Sequence, residues 1–534
     1  MASHSGDPSG GSKGYRKELG LWSVVFLATG AILGPAVGFT PVSVLAFAGP
    51  AGILSWVIAF LLILAVAMSY VELGTMWPRA GGVAYYPTRS NGPIVGVMNA
   101  WGSLVGYALA VPSIVVAFVE YLSYWFPGLM SNGGLSVSGI ITSIVVLLTV
   151  FYINTLRIRF MGTLNNVFTV LTIVGLLVVV LALFGHFHSQ NFSSFGGFAP
   201  LGTSGLFIAI SATIYGYGGF RQPIDYAEEV HDPGRTIPKA VAITMLVTLV
   251  IYFLESLSFT GAIDWKAMSL HSGAWTSLST LSYPFLTVSQ GEGLAFIGIL
   301  AIITTLIASY KDGYIYFGGA SRVGYALATY DSYLPEYFTR MTVNGIPLPS
   351  VVLVLVVSTL YIVLLPAFSS LFPLVAGALL LSYAPGPLSL AIFRTKYPDV
   401  ARPYLMPAYK VLAPFAFVVS SLMIYWSGWN SVHILIPSTF VGLLLLFFYN
   451  SRKRKLTAAD VVQGIWFPIF QLVLLIVSYF GSTAFGGNNA LVFPWDSVVM
   501  AVVGLVFYYW GYSSGLRYTT SPTFNSDHSE SVGA

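Results

Sequence analysis

Long apolar runs alternate with short polar breaks over almost the whole chain. Fourteen apolar segments can be drawn, at 20–47, 51–76, 94–124, 134–154, 163–185, 203–227, 237–261, 291–327, 348–366, 370–393, 408–428, 432–449, 462–481 and 492–513. A helix needs roughly 20 residues to cross the hydrocarbon core of a bilayer, and most of these runs reach that length. Several exceed it, which predicts tilt, a kink or extension beyond the bilayer. The pattern predicts an all-α polytopic membrane protein with about 14 transmembrane helices.

Two segments break the apolar pattern in the same way. The first is interrupted by Gly30, Gly34, Pro35 and Gly38, and the sixth by Gly216, Gly218, Gly219 and Pro223. Glycine and proline inside a spanning segment free backbone groups that lipid cannot satisfy, so such a stretch must line a cavity or be buried in protein. Interrupted helices five segments apart, entering from opposite sides, predict an inverted five-plus-five repeat with a binding site at mid-membrane. Packing of small residues between helices is the alternative reading of each cluster taken singly. The predicted organisation is a polar tail at 1–19, repeat one at 20–185, repeat two at 203–393, extra C-terminal helices at 408–513 and a tail at 514–534.

Charge orients this scheme. With the N-terminus cytoplasmic, all but Arg221, Lys266 and Lys311 of the 23 Lys and Arg residues fall on the cytoplasmic side or at cytoplasmic helix ends. That is the positive-inside bias, and a wrong segment count would scramble it downstream of the error. Both termini are therefore expected in the cytoplasm. The run 451–455, SRKRK, reads as an anchor beside anionic lipid rather than a nucleic-acid motif. The composition agrees: 56% of residues are hydrophobic and 8% charged, against about 25% charged in soluble proteins. There is no cysteine, so disulfides, thiolate metal sites and cysteine nucleophiles are excluded. The partners expected are a small-molecule substrate and the lipid bilayer, with no nucleic acid. Nothing in the sequence specifies an oligomeric state.

Four stretches carry a family resemblance. These are YVELGTMWPRAGGVAYYPTRSNGPIVGVMNAW from the end of the second segment, GFRQPIDYAEEVHDPGRTIPKA from the end of the sixth, GGASRVGYALATYDSYLPEYF from the end of the eighth, and ARPYLMPAYK after the tenth. In this order and over residues 20 to 410 they resemble the amino acid–polyamine–organocation transporters, in particular amino acid permeases. The resemblance implies a leucine-transporter-like fold with broken helices one and six, alternating access, and an amino acid substrate at the midplane in the plasma membrane. It implies proton-coupled symport or exchange, no cofactor, and sodium as the second candidate for the coupling ion. On the same fold, the alternatives are a carrier of polyamines or organic cations, or a sensor that binds without transporting. No metal site, Ser/His/Asp set or HExxH motif lies at membrane depth, so an enzyme is not expected.

The resemblance also points to residues. Ile32, Leu33, Gly34, Ala36, Val37 and Gly38 align at the first break, although Pro35 and Ala36 replace small residues usual there. Tyr215, Gly216, Tyr217, Gly218, Gly219 and Phe220 form the second, where aromatic rings either close over the substrate or pack helices. Arg221 sits in a membrane segment, which marks it as a functional candidate with a partner; Asp225 is four residues on. Two roles stay open: Arg221 binds a substrate carboxylate, or Arg221, Asp225 and Glu228 form a cytoplasmic gate. Some proton-coupled members of the family carry a lysine in helix five, where this chain has Thr172. Instead Lys311 and Asp312 lie in segment eight near Thr305 and Ser309, either as a protonation switch or as a static pair. Glu120 and Glu255 read as interfacial or vestibule residues, and His186 and His188 as loop residues without metal-ligand companions. Asn191 begins a glycosylation sequon on the predicted outer face.

Overall fold

The computed structural model describes residues 15–330, 333–447 and 456–519, and within them nothing is described for the side chains of Tyr215, Ser369, Ser370, Phe372 and Pro373. The tails beyond and the run 451–455 lie outside the described residues. Helices follow the apolar pattern: α1 Leu21–Ile32, α2 Ala36–Ala48, α3 Gly52–Met76, α4 Gly82–Asn91, α5 Pro93–Leu122, α6 Val137–Thr155 and α7 Ile158–Phe184. Then come α8 Gly202–Tyr217, α9 Gln222–Asp225, α10 Pro233–Gly261, α11 Pro284–Gly291, α12 Ala295–Thr329, α13 Leu348–Leu364 and α14 Phe368–Tyr383. The remainder are α15 Pro385–Lys396, α16 Tyr409–Trp426, α17 Trp429–Leu445, α18 Ala458–Gly464, α19 Trp466–Phe480 and α20 Trp495–Arg517. A two-stranded hairpin, Met130–Ser131 with Gly134–Leu135, is the only sheet among the described residues.

Ten helical stretches among the described residues are long and apolar enough to cross a membrane, and four shorter apolar helices accompany them. The chain is a multi-pass membrane protein. At 35 residues α12 is the longest single helix, about 50 Å at 1.5 Å per residue. It outreaches the hydrocarbon core and brings residues from mid-depth to one face onto a single rod. α5, α6, α7 and α13 pack around it, and α1 crosses it beside its middle.

The chain departs locally from the apolar pattern in three places. Residues 77–93 read as a polar loop, yet α4 forms there and is buried almost throughout, pinned by Asn99 Nδ2 donating to Val83 O at 3.0 Å. The tenth segment is two helices, because Pro385 has no N–H to continue α14 and opens α15 instead. The first segment breaks at Leu33–Pro35 alone. Gly30 and Gly38 stay helical and serve close packing: a Cβ on Gly30 would fall 2.6 Å from Asn165 Oδ1, and one on Gly38 would collide with the Tyr121 hydroxyl.

Candidate substrate site

The first break is built from both sides. Leu33 N–H donates to Thr29 O at 2.8 Å and closes α1, while Val37 and Gly38 donate to Gly34 and Pro35 and start α2. A helix end leaves carbonyls without intrahelical partners, and here side chains from other helices take them. Lys311 Nζ donates to Gly30 O at 2.7 Å and to Leu33 O at 2.6 Å; Tyr252 donates to Ile32 O at 2.5 Å. Asp312 presses against the break itself, since a Cβ on Gly34 would collide with its Oδ2. Its Oδ1 is buried with no hydrogen-bond partner among the described residues. Between these groups lies a cavity of about 10 Å³, lined by Ala31, Ile32, Ala36, Ala110, Ile114, Asp312 and Tyr316. Such a space holds about one water. The centre is closed.

The second break meets the first. α8 continues through Gly216 to Tyr217, and Gly218–Arg221 then tightens into a 3₁₀ turn before α9. Gly219 lies on the α1 backbone, where a Cβ would come within 2.5 Å of the Ala31 carbonyl carbon, so only glycine permits this crossing. Gly218 O accepts from the Tyr383 hydroxyl at 3.0 Å. The aromatic candidates pack rather than line the cavity. Tyr217 donates to Trp56 O at 3.1 Å, Gly216 abuts Trp56, and Phe220 meets Tyr383 edge-on at 4.9 Å between centroids. The Tyr215 side chain lies outside the described residues.

Below the break, on the side of the Arg-rich loops, Arg221 is fully buried and every branch of its guanidinium is held. Nε pairs with Asp225 Oδ2 at 2.7 Å, Nη1 donates to Ser382 Oγ at 3.0 Å and Nη2 to Ser103 Oγ at 2.7 Å. Tyr107 donates to the same Asp225 oxygen at 2.6 Å and lies under the guanidinium at 4.4 Å. The Tyr107 ring also lies tilted against Tyr316, which lines the cavity, at 5.5 Å between centroids. Arg221 is thus one aromatic layer away from the cavity.

A second layer lies further out. Arg322 on α12 grips Glu229 through Nε at 2.5 Å and Nη2 at 2.8 Å, with Tyr226 under its guanidinium at 3.7 Å. Glu228 joins Tyr330 by a short hydrogen bond and stands 3.8 Å from Arg79. Burial pushes both carboxyls above the ordinary range, and Arg322 pulls Glu229 back. The N-terminal stretch closes over this layer: Glu18 and Leu19 donate to Glu229 O, and His231 donates back to Leu19 O.

At the other end a funnel of about 880 Å³ opens, lined by Phe39, Glu120, Tyr124, Tyr283 and Phe368 among others. Phe39 stacks on Phe368 at 4.7 Å and meets Tyr121 edge-on at 4.9 Å. Thr172 and Thr305 spend their hydroxyls on the Phe168 and Ala301 carbonyls of their own helices, whereas Ser309 Oγ is buried without a partner among the described residues.

Two readings from the sequence need correcting. Glu255 is buried in α10 rather than interfacial, while Glu120 does line the funnel. Asn191 is buried and its amide donates to Thr260 and Ile263 carbonyls, so it is no glycosylation acceptor in this fold. His186 and His188 face Glu292, at 3.1 and 3.6 Å, and no group of metal-ligating side chains forms among the described residues. Tyr107, Tyr252, Ser103, Ser382 and the Glu229–Arg322 pair were missed. A tyrosine or serine in an apolar run carries no signal of which helix it will face, though the Ser-Arg dipeptide before α12 ends was a visible hint.

The amino acid permease model matches residues 19–449. The chain belongs to the amino acid permease family. It is 30% identical to the glutamate/serine transporter AimA of Bacillus subtilis over 94% of each chain. It is also 30% identical to the aspartate-proton symporter of the same organism, over 94% of this chain and 97% of the relative. The branched-chain amino acid permease BcaP of Bacillus subtilis is 23% identical over 84% of this chain and 96% of the relative. As a member of the family the chain is an amino acid transporter and not an enzyme.

Proposed function

We propose that this permease moves acidic amino acids or serine across the plasma membrane together with a proton, by alternating access about the two helix breaks. The substrate class follows the names of the two relatives at 30% identity, which are for glutamate and serine and for aspartate–proton symport. The observation that carries the coupling is the Lys311 ammonium seated on the Gly30 and Leu33 carbonyls at the end of α1. A cation at that place ties α12 to the broken helix; losing its proton would release the tie, because a neutral amine is a far weaker donor to carbonyls. The ammonium already occupies both carbonyls, which leaves them less available to a sodium ion and favours a proton. On this reading Arg221, Asp225 and Glu228 belong to the inner gate rather than to substrate binding, and the Phe39–Phe368 stack is the outer gate. The reading takes in the five-plus-five repeat, fourteen spans, and both termini in the cytoplasm.

Purified protein in liposomes, given labelled glutamate, aspartate and serine, should accumulate at least one of them when the interior is made alkaline. Lys311→Ala should abolish that accumulation and leave exchange of internal for external substrate measurable. Accumulation that survives in Lys311→Ala, or that needs sodium, would refute the coupling assignment.

A further inference from the structure

In this structure several carbonyls at the helix breaks that could receive a substrate's ammonium are already occupied. Gly30 O and Leu33 O hold Lys311, Ile32 O holds Tyr252, Thr29 O holds the Leu33 amide and Gly218 O holds Tyr383. One acidic side chain in the cavity is open. Asp312 Oδ1 is buried, has no hydrogen-bond partner among the described residues, and belongs to the only acidic side chain lining the cavity. Its neighbours there are Ala31, Ile32, Ala36, Ala110, Ile114 and Tyr316, none of which offers a charge. A carboxylate oxygen removed from water without a partner is unfavourable. An ammonium supplies the charge-assisted hydrogen bond it lacks.

We propose that Asp312 recognises the α-ammonium of the substrate, taking over the part that carbonyls would play at an unoccupied helix end. This rests on the reading of the cavity between the two breaks as the substrate site. Ala36, the first residue of α2, lines the same cavity. The positive end of that helix therefore borders the same cavity and suits a carboxylate. Gly34 completes the arrangement: any side chain there would displace Asp312 from the break. The two adjacent charges of α12 thus divide the work. Successive residues point about 100° apart on a helix, so Lys311 reaches α1 while Asp312 faces the ligand.

The test is equilibrium binding of labelled glutamate and serine to the purified protein, with competition by amine-free counterparts, glutarate and 3-hydroxypropionate. Wild type should prefer the amine-bearing ligand strongly. Asp312→Asn should weaken it roughly 10- to 100-fold, the range of a hydrogen bond to a charged group, and leave the amine-free competitors unchanged, so that the preference collapses. A preference that survives in Asp312→Asn, or an equal loss for both kinds of ligand, overturns the proposal. Asp312→Glu keeps the charge and should keep the preference; its loss there would also count against the assignment. Should wild type bind no amino acid at all, the cavity reading fails instead, so the two failures are distinguishable.

Discussion

At the residue scale the buried charges behave as closed sets rather than as free groups. Arg221 has contacts to Asp225, Ser103, Ser382, Tyr107 and Tyr383. Desolvating an ion pair offsets much of its attraction, so the pair contributes little net stability, whereas removing one partner strands the other. Arg221→Ala should therefore lower stability by about 3–5 kcal/mol, read by thermal unfolding in detergent. Replacing both members, Arg221→Met with Asp225→Leu, should recover most of that loss while disturbing transport. An equal loss in the double variant would mean that the hydroxyl contacts, not the charge pair, hold this layer. The i+4 spacing made the pair legible in the sequence. What was not legible is that α5 and α14 complete the shell and leave Arg221 no free branch for a substrate.

At the element scale the broken helices and α12 form one machine. α1 ends on Lys311, the turn after α8 lies on the α1 backbone, and the far end of α12 clamps Glu229. Movement of α12 against α1 would therefore reach the inner layer directly. Glu229→Gln should loosen that layer and shift the balance towards the inward-open form. The chain has no cysteine, so a single Gln222→Cys, buried against Gly319 of α12, reports the change cleanly. Its maleimide labelling should rise about tenfold in Glu229→Gln, a shift of about 1.4 kcal/mol; unchanged labelling would leave the clamp without a gating role. Glycine spacing revealed both breaks, yet it overstated the first. Gly30 and Gly38 look like breakers in the sequence and are packing positions in the structure, because helix continuity depends on what fills the neighbouring space.

At the scale of the whole molecule the centre is shut from both ends, by Phe39 with Phe368 on one side and by the Arg221 and Arg322 layers on the other. The direction of this asymmetry rests on the distribution of Lys and Arg and can be checked. Lys266 and Arg340 are both exposed, and the positive-inside pattern places them on opposite faces. In intact cells an impermeant maleimide should label Lys266→Cys and spare Arg340→Cys, with the reverse in inside-out vesicles. The apolar segmentation, the two interrupted helices and the family were determined by the sequence alone. Span length, backbone satisfaction in lipid and charge bias act on contiguous stretches, so they are written locally. Which carbonyl Lys311 occupies, which oxygen of Asp312 is left open, and that Tyr217 packs while Tyr316 lines the cavity were decided only by tertiary structure. Those facts depend on the rotation and crossing of helices whose partners lie far away along the chain, and no local pattern encodes them.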